Sequence, residues 1–266
     1  MIAYDLVVIS ARRPHLLRTT LQSLLAALDQ PPARVIVHDD VCFAGAERAA
    51  AMTEVLAELG RAIRPLVLRT DAPPIGHGPG LAWALGQAEA GYVLYTQDDH
   101  EVVRPLPIQR ALAVMDAYTL HQVRFNKRDT LDRKGEGPQA FVKEERRFPM
   151  SDGLVETLCV ADHWYFQTGL WRVAQIRPVV TWWDRHGPGA FAEHCEAKVN
   201  DVLNGQWRGR CPVHVDLIPP GAPWNSAAVR AASVRTFIWG RIGEPAFLRH
   251  LGTTPADWAL NRRRDN

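Results

Sequence analysis

The stretch Tyr92-Val93-Leu94-Tyr95-Thr96-Gln97-Asp98-Asp99-His100-Glu101 sets the reading of the whole chain. A short apolar strand runs straight into two adjacent carboxylates and an imidazole. Such a strand is built to be buried, whereas two neighbouring carboxylates resist burial unless a positive charge compensates them. The simplest compensator is a divalent cation, itself neutralised on its far side by phosphates. The competing reading is a strand end followed by an ordinary acidic turn. The stretch alone leaves both open, and the surrounding chain has to decide.

Upstream, three strand–helix units precede it. Leu6-Val7-Val8-Ile9-Ser10 is a continuous apolar run ending in a polar residue, the pattern of a strand buried on both faces. Ala11-Arg12-Arg13 follows as a loop and Pro14 suits a first helical turn. Leu17, Leu21, Leu24 and Leu28 recur at helical spacing until Pro31-Pro32 stops them. A second strand, Arg34-Val35-Ile36-Val37-His38, ends at Asp39-Asp40. Spacing then predicts a helix from Ala44 to Leu59, with Met52, Val55, Leu56 and Leu59 on one face and Gly60 as its stop. Pro65-Leu66-Val67-Leu68 reads as a third strand, Asp71 to Gly78 as a breaker-rich loop, and Pro79 to Ala90 as a helix closed by Gly91. Strands alternating with helices through short loops imply an α/β domain with a mostly parallel sheet. In such sheets ligands bind beyond the carboxyl ends of the strands, and Ser10, Asp39 and Asp98-Asp99 all fall at those ends.

Downstream the pattern loosens. Pro107 to Tyr118 predicts a helix, and Gln122-Val123-Arg124-Phe125-Asn126 alternates like a strand. Lys127 to Arg147 is highly charged, carries Gly135, Gly137 and Pro138, and reads as an exposed hairpin or mobile loop. Trp164-Tyr165-Phe166 and Val213-His214-Val215 read as strands, and Ala190 to Leu203 as a helix with Phe191, Cys195, Val199 and Val202 inward. Most tryptophans lie after residue 160. Trp182-Trp183 sit just before the helix at Ala190, where aromatic faces suit sugar rings or nucleobases; the plainer reading is that tryptophans cover a thin second lobe.

Composition narrows the function classes. The chain has 266 residues, enough for one large domain or two small ones, and its 47% hydrophobic and 23% charged content is that of a globular protein. A net charge of +2 gives no general polyanion-binding signal. The four cysteines, Cys42, Cys159, Cys195 and Cys211, form no C-x-x-C pair, so neither a zinc site nor a disulfide framework is expected. The start of the sequence lacks the pattern of a signal peptide, no apolar run approaches membrane-spanning length, and a reducing cytoplasm is the expected compartment.

Four segments, in this order and spacing, resemble the nucleotide-sugar-binding half of a family 2 glycosyltransferase with the GT-A fold. They are Val7-Val8-Ile9-Ser10-Ala11-Arg12-Arg13-Pro14, Val35-Ile36-Val37-His38-Asp39-Asp40, Gly76-His77-Gly78-Pro79-Gly80-Leu81-Ala82 and Tyr95-Thr96-Gln97-Asp98-Asp99-His100. The last corresponds to that family's DXD-type motif. The resemblance covers about residues 5 to 101 and extends loosely to about 220. It implies a Rossmann-like sheet flanked by helices, with residues 1–103 as the nucleotide-sugar-binding half and 104–266 as a smaller, tryptophan-rich acceptor and catalytic half on the same sheet.

The resemblance also implies roles. Ser10 and Arg12 would border the nucleotide base, Asp39 would hydrogen-bond it, Asp98 would face the ribose, and Asp99 would ligate Mn²⁺ or Mg²⁺ at the diphosphate. His77 would lie near the phosphates, although the Arg-Asn pair usual in that helix is replaced here by Gly80-Leu81-Ala82. His100 is expected to shape the turn, and His214 is a candidate third metal ligand, since some relatives bring a C-terminal histidine to the cation. An inverting transfer needs a carboxylate to take the acceptor's proton. The family places it at the start of a helix well after the DXD segment, which points to Glu193, with Asp184 and Glu196 as rivals. The hydroxyl acceptor is left open between a glycan, a lipid-linked sugar and a modified DNA base. Two alternatives compete: a nucleotidyltransferase, which needs a glycine-rich basic loop where this chain has Ala11-Arg12-Arg13-Pro14, and a non-catalytic binding protein of the same fold.

Overall fold

The computed structural model describes residues 1–40, 46–63, 65–71, 75–126, 142–161, 168–177, 180, 236–239 and 245–251. Among them are eleven strands and four long helices: β1 (Asp5–Ser10), α1 (Pro14–Ala27), β2 (Val35–Asp40), α2 (Ala46–Ala62), β3 (Leu66–Asp71), α3 (His77–Gln87), β4 (Tyr92–Gln97), β5 (His100–Val102), α4 (Ile108–Ala117), β6 (Gln122–Phe125), β7 (Val142–Pro149), β8 (Val155–Ala161), β9 (Gly169–Arg172), β10 (Thr236–Trp239) and β11 (Leu248–His250). Nine strands form one sheet in the order β3-β2-β1-β4-β9-β6-β10-β8-β7, and β11 pairs with β5 beside it.

The first four strands pair in parallel, as their alternation with helices predicts. β9 then runs antiparallel between β4 and β6, and β10 lies parallel to β6. β8 is antiparallel to both β10 and β7. The sheet is therefore a parallel four-stranded block joined to a mixed one.

The apolar runs are continuous because the parallel block is covered on both faces. Alternate side chains of β1 divide between two cores. Leu6 and Val8 pack with Leu17, Leu21 and Leu24 of α1, Met52, Val55 and Leu59 of α2, and Ile108, Leu112 and Met115 of α4. Val7 and Ile9 pack with Leu81, Ala84 and Leu85 of α3 and with Val173, Ile176 and Val180. Pro14 opens α1 at its first turn, as expected.

Three boundaries differ from the sequence reading. α2 passes through Gly60 to Ala62, because a further helical turn is closed by the bond from Ile63 N–H to the Leu59 carbonyl at 2.8 Å. α3 begins at His77, two residues before Pro79, and ends at Gln87. Residues 142–147, read as the end of an exposed hairpin or mobile loop, belong to the edge strand β7, which pairs antiparallel with β8 across Phe148↔Glu156 and Arg146↔Leu158 despite their charge. Trp171 and Trp239 are buried in the sheet's core. The expected strand at Trp164 to Phe166, the helix at Ala190 to Leu203 and the strand at Val213 to Val215 lie outside the described residues.

Candidate functional site

The chain leaves β1 toward β2 and β3 on one side, then returns through α3 to place β4 on the other side of β1. The carboxyl ends of β1, β2 and β4 thus border the crevice where the strand order reverses, the usual ligand position in an open α/β sheet. Ser10, Asp39 and Asp98 converge there, as expected, and all three are buried.

Two consecutive arginines fill the spaces between them. Asp98 accepts hydrogen bonds from Ser10 Oγ at 3.0 Å, from the Ala11 backbone N–H at 3.1 Å and from Arg13 Nε at 3.2 Å. Arg13 Nη2 closes a second bond to the same carboxylate and lies 3.4 Å from Asp99 Oδ2. On the other side of β1, Asp39 accepts from the Arg12 backbone N–H at 3.0 Å and Arg12 Nε at 3.1 Å, with Arg12 Nη2 at 3.1 Å. Arg12 adopts φ +54°, a left-handed conformation that a side chain disfavours. That turn lays its own N–H on Asp39 and leaves Arg13 as the residue that caps α1. Burial pushes both Asp39 and Asp98 above the ordinary carboxylate range, with Arg12 and Arg13 respectively opposing it.

The second residue of each acidic pair differs. Asp40 accepts from the backbone N–H groups of Ile75 at 3.0 Å and Gly76 at 2.7 Å. It thereby pins the turn into α3, where Gly76 takes φ +87°. Asp99 faces the other way, toward the β5–β11 pair. The Leu251 backbone N–H donates to the Asp99 carbonyl at 2.8 Å. The His250↔His100 register brings His250 Nε2 to 3.4 Å from Asp99 Oδ2. His100 contacts Thr168 Oγ1 through Nδ1 at 3.1 Å, and Thr168 Oγ1 meets Thr96 Oγ1 at 2.8 Å. His100 is thereby tied through Thr168 to Thr96 of β4.

His77 stands at the N-terminus of α3 with Nε2 2.9 Å from the Tyr95 hydroxyl. The Tyr95 ring stacks on Trp171 at 4.1 Å and lies nearly parallel to His77 at 6.3 Å. Burial, with a smaller coulombic contribution from the neighbouring His38, lowers the His77 pKa to about 4 despite Asp40 and Asp99. His77 is therefore a neutral hydrogen-bonding group at neutral pH rather than a fixed phosphate counter-charge.

Among the described residues, no group of three His, Cys, Asp or Glu side chains is close enough to cage a metal ion. Asp99 and His250 nevertheless fit a cation shared with a ligand. Their O···N separation of 3.4 Å is near the spacing of about 3.0 Å between adjacent ligands of an octahedral ion with bonds of about 2.1 Å. Such an ion completes its shell with phosphate oxygens and water.

Sequence reasoning missed Arg13 and His250. The signal for Arg13 was present: two adjacent guanidiniums follow the first strand, facing two Asp-Asp strand ends. Nothing local marks His250, which reaches the site only through the three-residue pairing of β11 with β5. Glu193, Asp184, Glu196, His214 and Trp182-Trp183 lie outside the described residues. Among the described residues, no helix is long and apolar enough to cross a membrane.

No family model matches the chain, and no curated protein matches it. Solved structures do. Residues 1–349 of Staphylococcus aureus TarS superpose with a TM-score of 0.56 at 17% identity, covering 98% of this chain and 64% of that one. The same TarS fragment in complex with UDP gives 0.56 at 14% identity, with the same coverage of both chains. The mannosyltransferase PcManGT from Pyrobaculum calidifontis, in complex with GDP-Man and Mn²⁺, gives 0.53 at 14% identity, covering 98% of this chain and 60% of that one. The chain spans a little under two thirds of the TarS fragment and of PcManGT, and 39% of a longer TarS structure. At such identities the likeness is one of fold, and it is the α/β fold of GT-A type that the four sequence segments implied.

Proposed function

We propose that this protein is a nucleotide-sugar-dependent glycosyltransferase that uses Mn²⁺ or Mg²⁺ and transfers a sugar to a hydroxyl acceptor. One observation carries the reading: Ser10, Asp39, Asp98 and Asp99 meet at the carboxyl edge of the sheet, on either side of the reversal point at β1. The fold shared with nucleotide-sugar-binding proteins supports it.

In this reading Asp99 and His250 hold the cation. When bound, the cation neutralises charge developing on the departing nucleoside diphosphate. Arg12 and Asp39 border the nucleobase, Asp98 and Ser10 face the ribose, and neutral His77 donates or accepts a hydrogen bond near the diphosphate or sugar. Glu193 serves as the base that takes the acceptor's proton in an inverting transfer, with Asp184 and Glu196 as rivals. His214 remains a candidate further ligand. A glycan, a lipid-linked sugar or a modified DNA base is the acceptor. The loop Ala11-Arg12-Arg13-Pro14 has no glycine and its arginines grip Asp39 and Asp98, which argues against the glycine-rich triphosphate cradle of a nucleotidyltransferase.

Calorimetric titration with UDP, GDP and other nucleoside diphosphates, with and without Mn²⁺, tests the reading. Binding of at least one, strengthened by Mn²⁺ and lost in Asp99→Asn, is expected. Failure of every nucleotide to bind in the presence of Mn²⁺ overturns it. Glu193→Gln is expected to keep binding and lose transfer, and sustained transfer reassigns the base.

A further inference from the structure

Arg13 has no part in the roles assigned above, yet it is the residue most tightly built into the acidic pair. Its guanidinium is buried between β1 and the β4–β5 turn, gripping Asp98 through both Nε and Nη2 and touching Asp99 through Nη2 alone at 3.4 Å. We infer that Arg13 is a built-in counter-cation that holds the Asp98-Asp99 pair before the donor arrives and competes with a divalent cation for Asp99. Cation and nucleoside diphosphate then bind as a coupled pair rather than independently. This inference rests on the reading of Asp99 as a cation ligand.

The asymmetry of the two contacts is the first support. The grip on Asp98 is two-pronged and enclosed, whereas the single contact to Asp99 is at the long limit of a hydrogen bond. The guanidinium can release Asp99 and keep Asp98. Its backbone stays fixed, since the Arg13 carbonyl accepts the Leu17 N–H at 2.9 Å and caps α1.

Charge balance is the second support. Among the described residues the two arginines touch three carboxylates, Asp39, Asp98 and Asp99, and these five groups, when ionised, carry one more negative than positive charge. A divalent cation added alone reverses that sign beside a buried guanidinium, which is unfavourable in a site of low polarity. The same cation arriving with a diphosphate restores a negative excess and gives the displaced edge of Arg13 a new anionic partner. The left-handed backbone of Arg12 belongs to the same device, because that turn is what sends consecutive guanidiniums to opposite sides of β1.

Electron paramagnetic resonance of free Mn²⁺, with the whole protein and with or without UDP or GDP, tests this directly. The wild type is expected to bind Mn²⁺ at least about tenfold more tightly with the nucleotide than without it. Arg13→Gln is expected to bind Mn²⁺ alone about tenfold more tightly than the wild type and to lose most of the nucleotide's effect, while Arg13→Lys stays near the wild type. If Arg13→Gln gains no Mn²⁺ affinity while the wild type still takes up Mn²⁺ with nucleotide, the competition is overturned and the proposed function stands. If the wild type takes up no Mn²⁺ under any condition, the cation reading falls and the inference with it. A second readout needs no variant: the ¹⁵N-labelled Arg13 Nε–H resonance should move on adding Mg²⁺ with the nucleotide, more than with either alone. A signal indifferent to both together overturns the inference.

Discussion

The two strands that flank β1 lead into the same dipeptide: β2 ends in Asp39-Asp40, and β4 stops just before Asp98-Asp99. The first residue of each pair is treated alike, enclosed and bonded to an arginine of the β1–α1 loop. The second residues part company. Asp40 turns to the backbone of residues 75 and 76 and is consumed in shaping the start of α3. Asp99 turns to His250 and the outer edge of Arg13. A shared dipeptide thus yields one carboxylate that shapes a turn and one that, in the proposed function, holds the cation. What divides them is the segment each faces, a main-chain turn rich in N–H donors in one case and a histidine-bearing strand in the other.

Asp99→Asn is the change that breaks this comparison hardest. Turnover should fall by about a thousandfold, the loss expected when the charge that organises a departing diphosphate is removed. The thermal midpoint should barely move. A variant with normal turnover would make the β4 pair as structural as the β2 pair. Next in size is Asp98→Ala, which strands Arg13 without its two-pronged partner. Removing one member of a buried ion pair costs about 3–5 kcal/mol, to be read from urea unfolding. Asp39→Ala, which strands Arg12, belongs to the same range. A loss below about 1 kcal/mol in either case would mean that the released arginine reaches water freely.

The parallel block was legible because each of its strands is buried on both faces and each helix has a single apolar stripe, so period and composition agree. The strand ends were legible for a related reason: polar residues that follow an apolar run must lie at the sheet's edge. The mixed block was not. β9 enters between β4 and β6 by a pairing that joins residues far apart in sequence, and β7 hides beneath charges that suit an exposed edge. The candidate site divides the same way. Ser10, Asp39, Asp98 and Asp99 announced themselves locally. His250 depends on a pairing across about 150 residues that no local pattern encodes.

Two smaller perturbations sharpen the contrast from the structural side. Asp40→Ala leaves the Ile75 and Gly76 N–H groups without their acceptor and should cost about 1–3 kcal/mol of stability, with Mn²⁺ binding preserved. Loss of Mn²⁺ binding there would erase the division between the pairs. The smallest effect concerns His77, at the helix start that Asp40 pins. Its folded pKa of about 4 lies below the ordinary value of 6.5. Between these two values the unfolded chain binds more protons than the folded one, so this group's contribution to stability is present above pH 6.5 and is lost as the pH falls toward 4. Asp39 and Asp98, raised by burial, act in the opposite sense at the acid end, so the readout is the difference between the wild type and His77→Gln rather than either curve alone. From pH 7 to pH 4.5 the wild type should lose more unfolding free energy than the variant. Parallel curves would mean that His77 takes up its proton in the folded protein as readily as in the unfolded one, so that it could carry charge at the start of α3 below about pH 6.5 and bring the Asp40 side of the crevice into the chemistry.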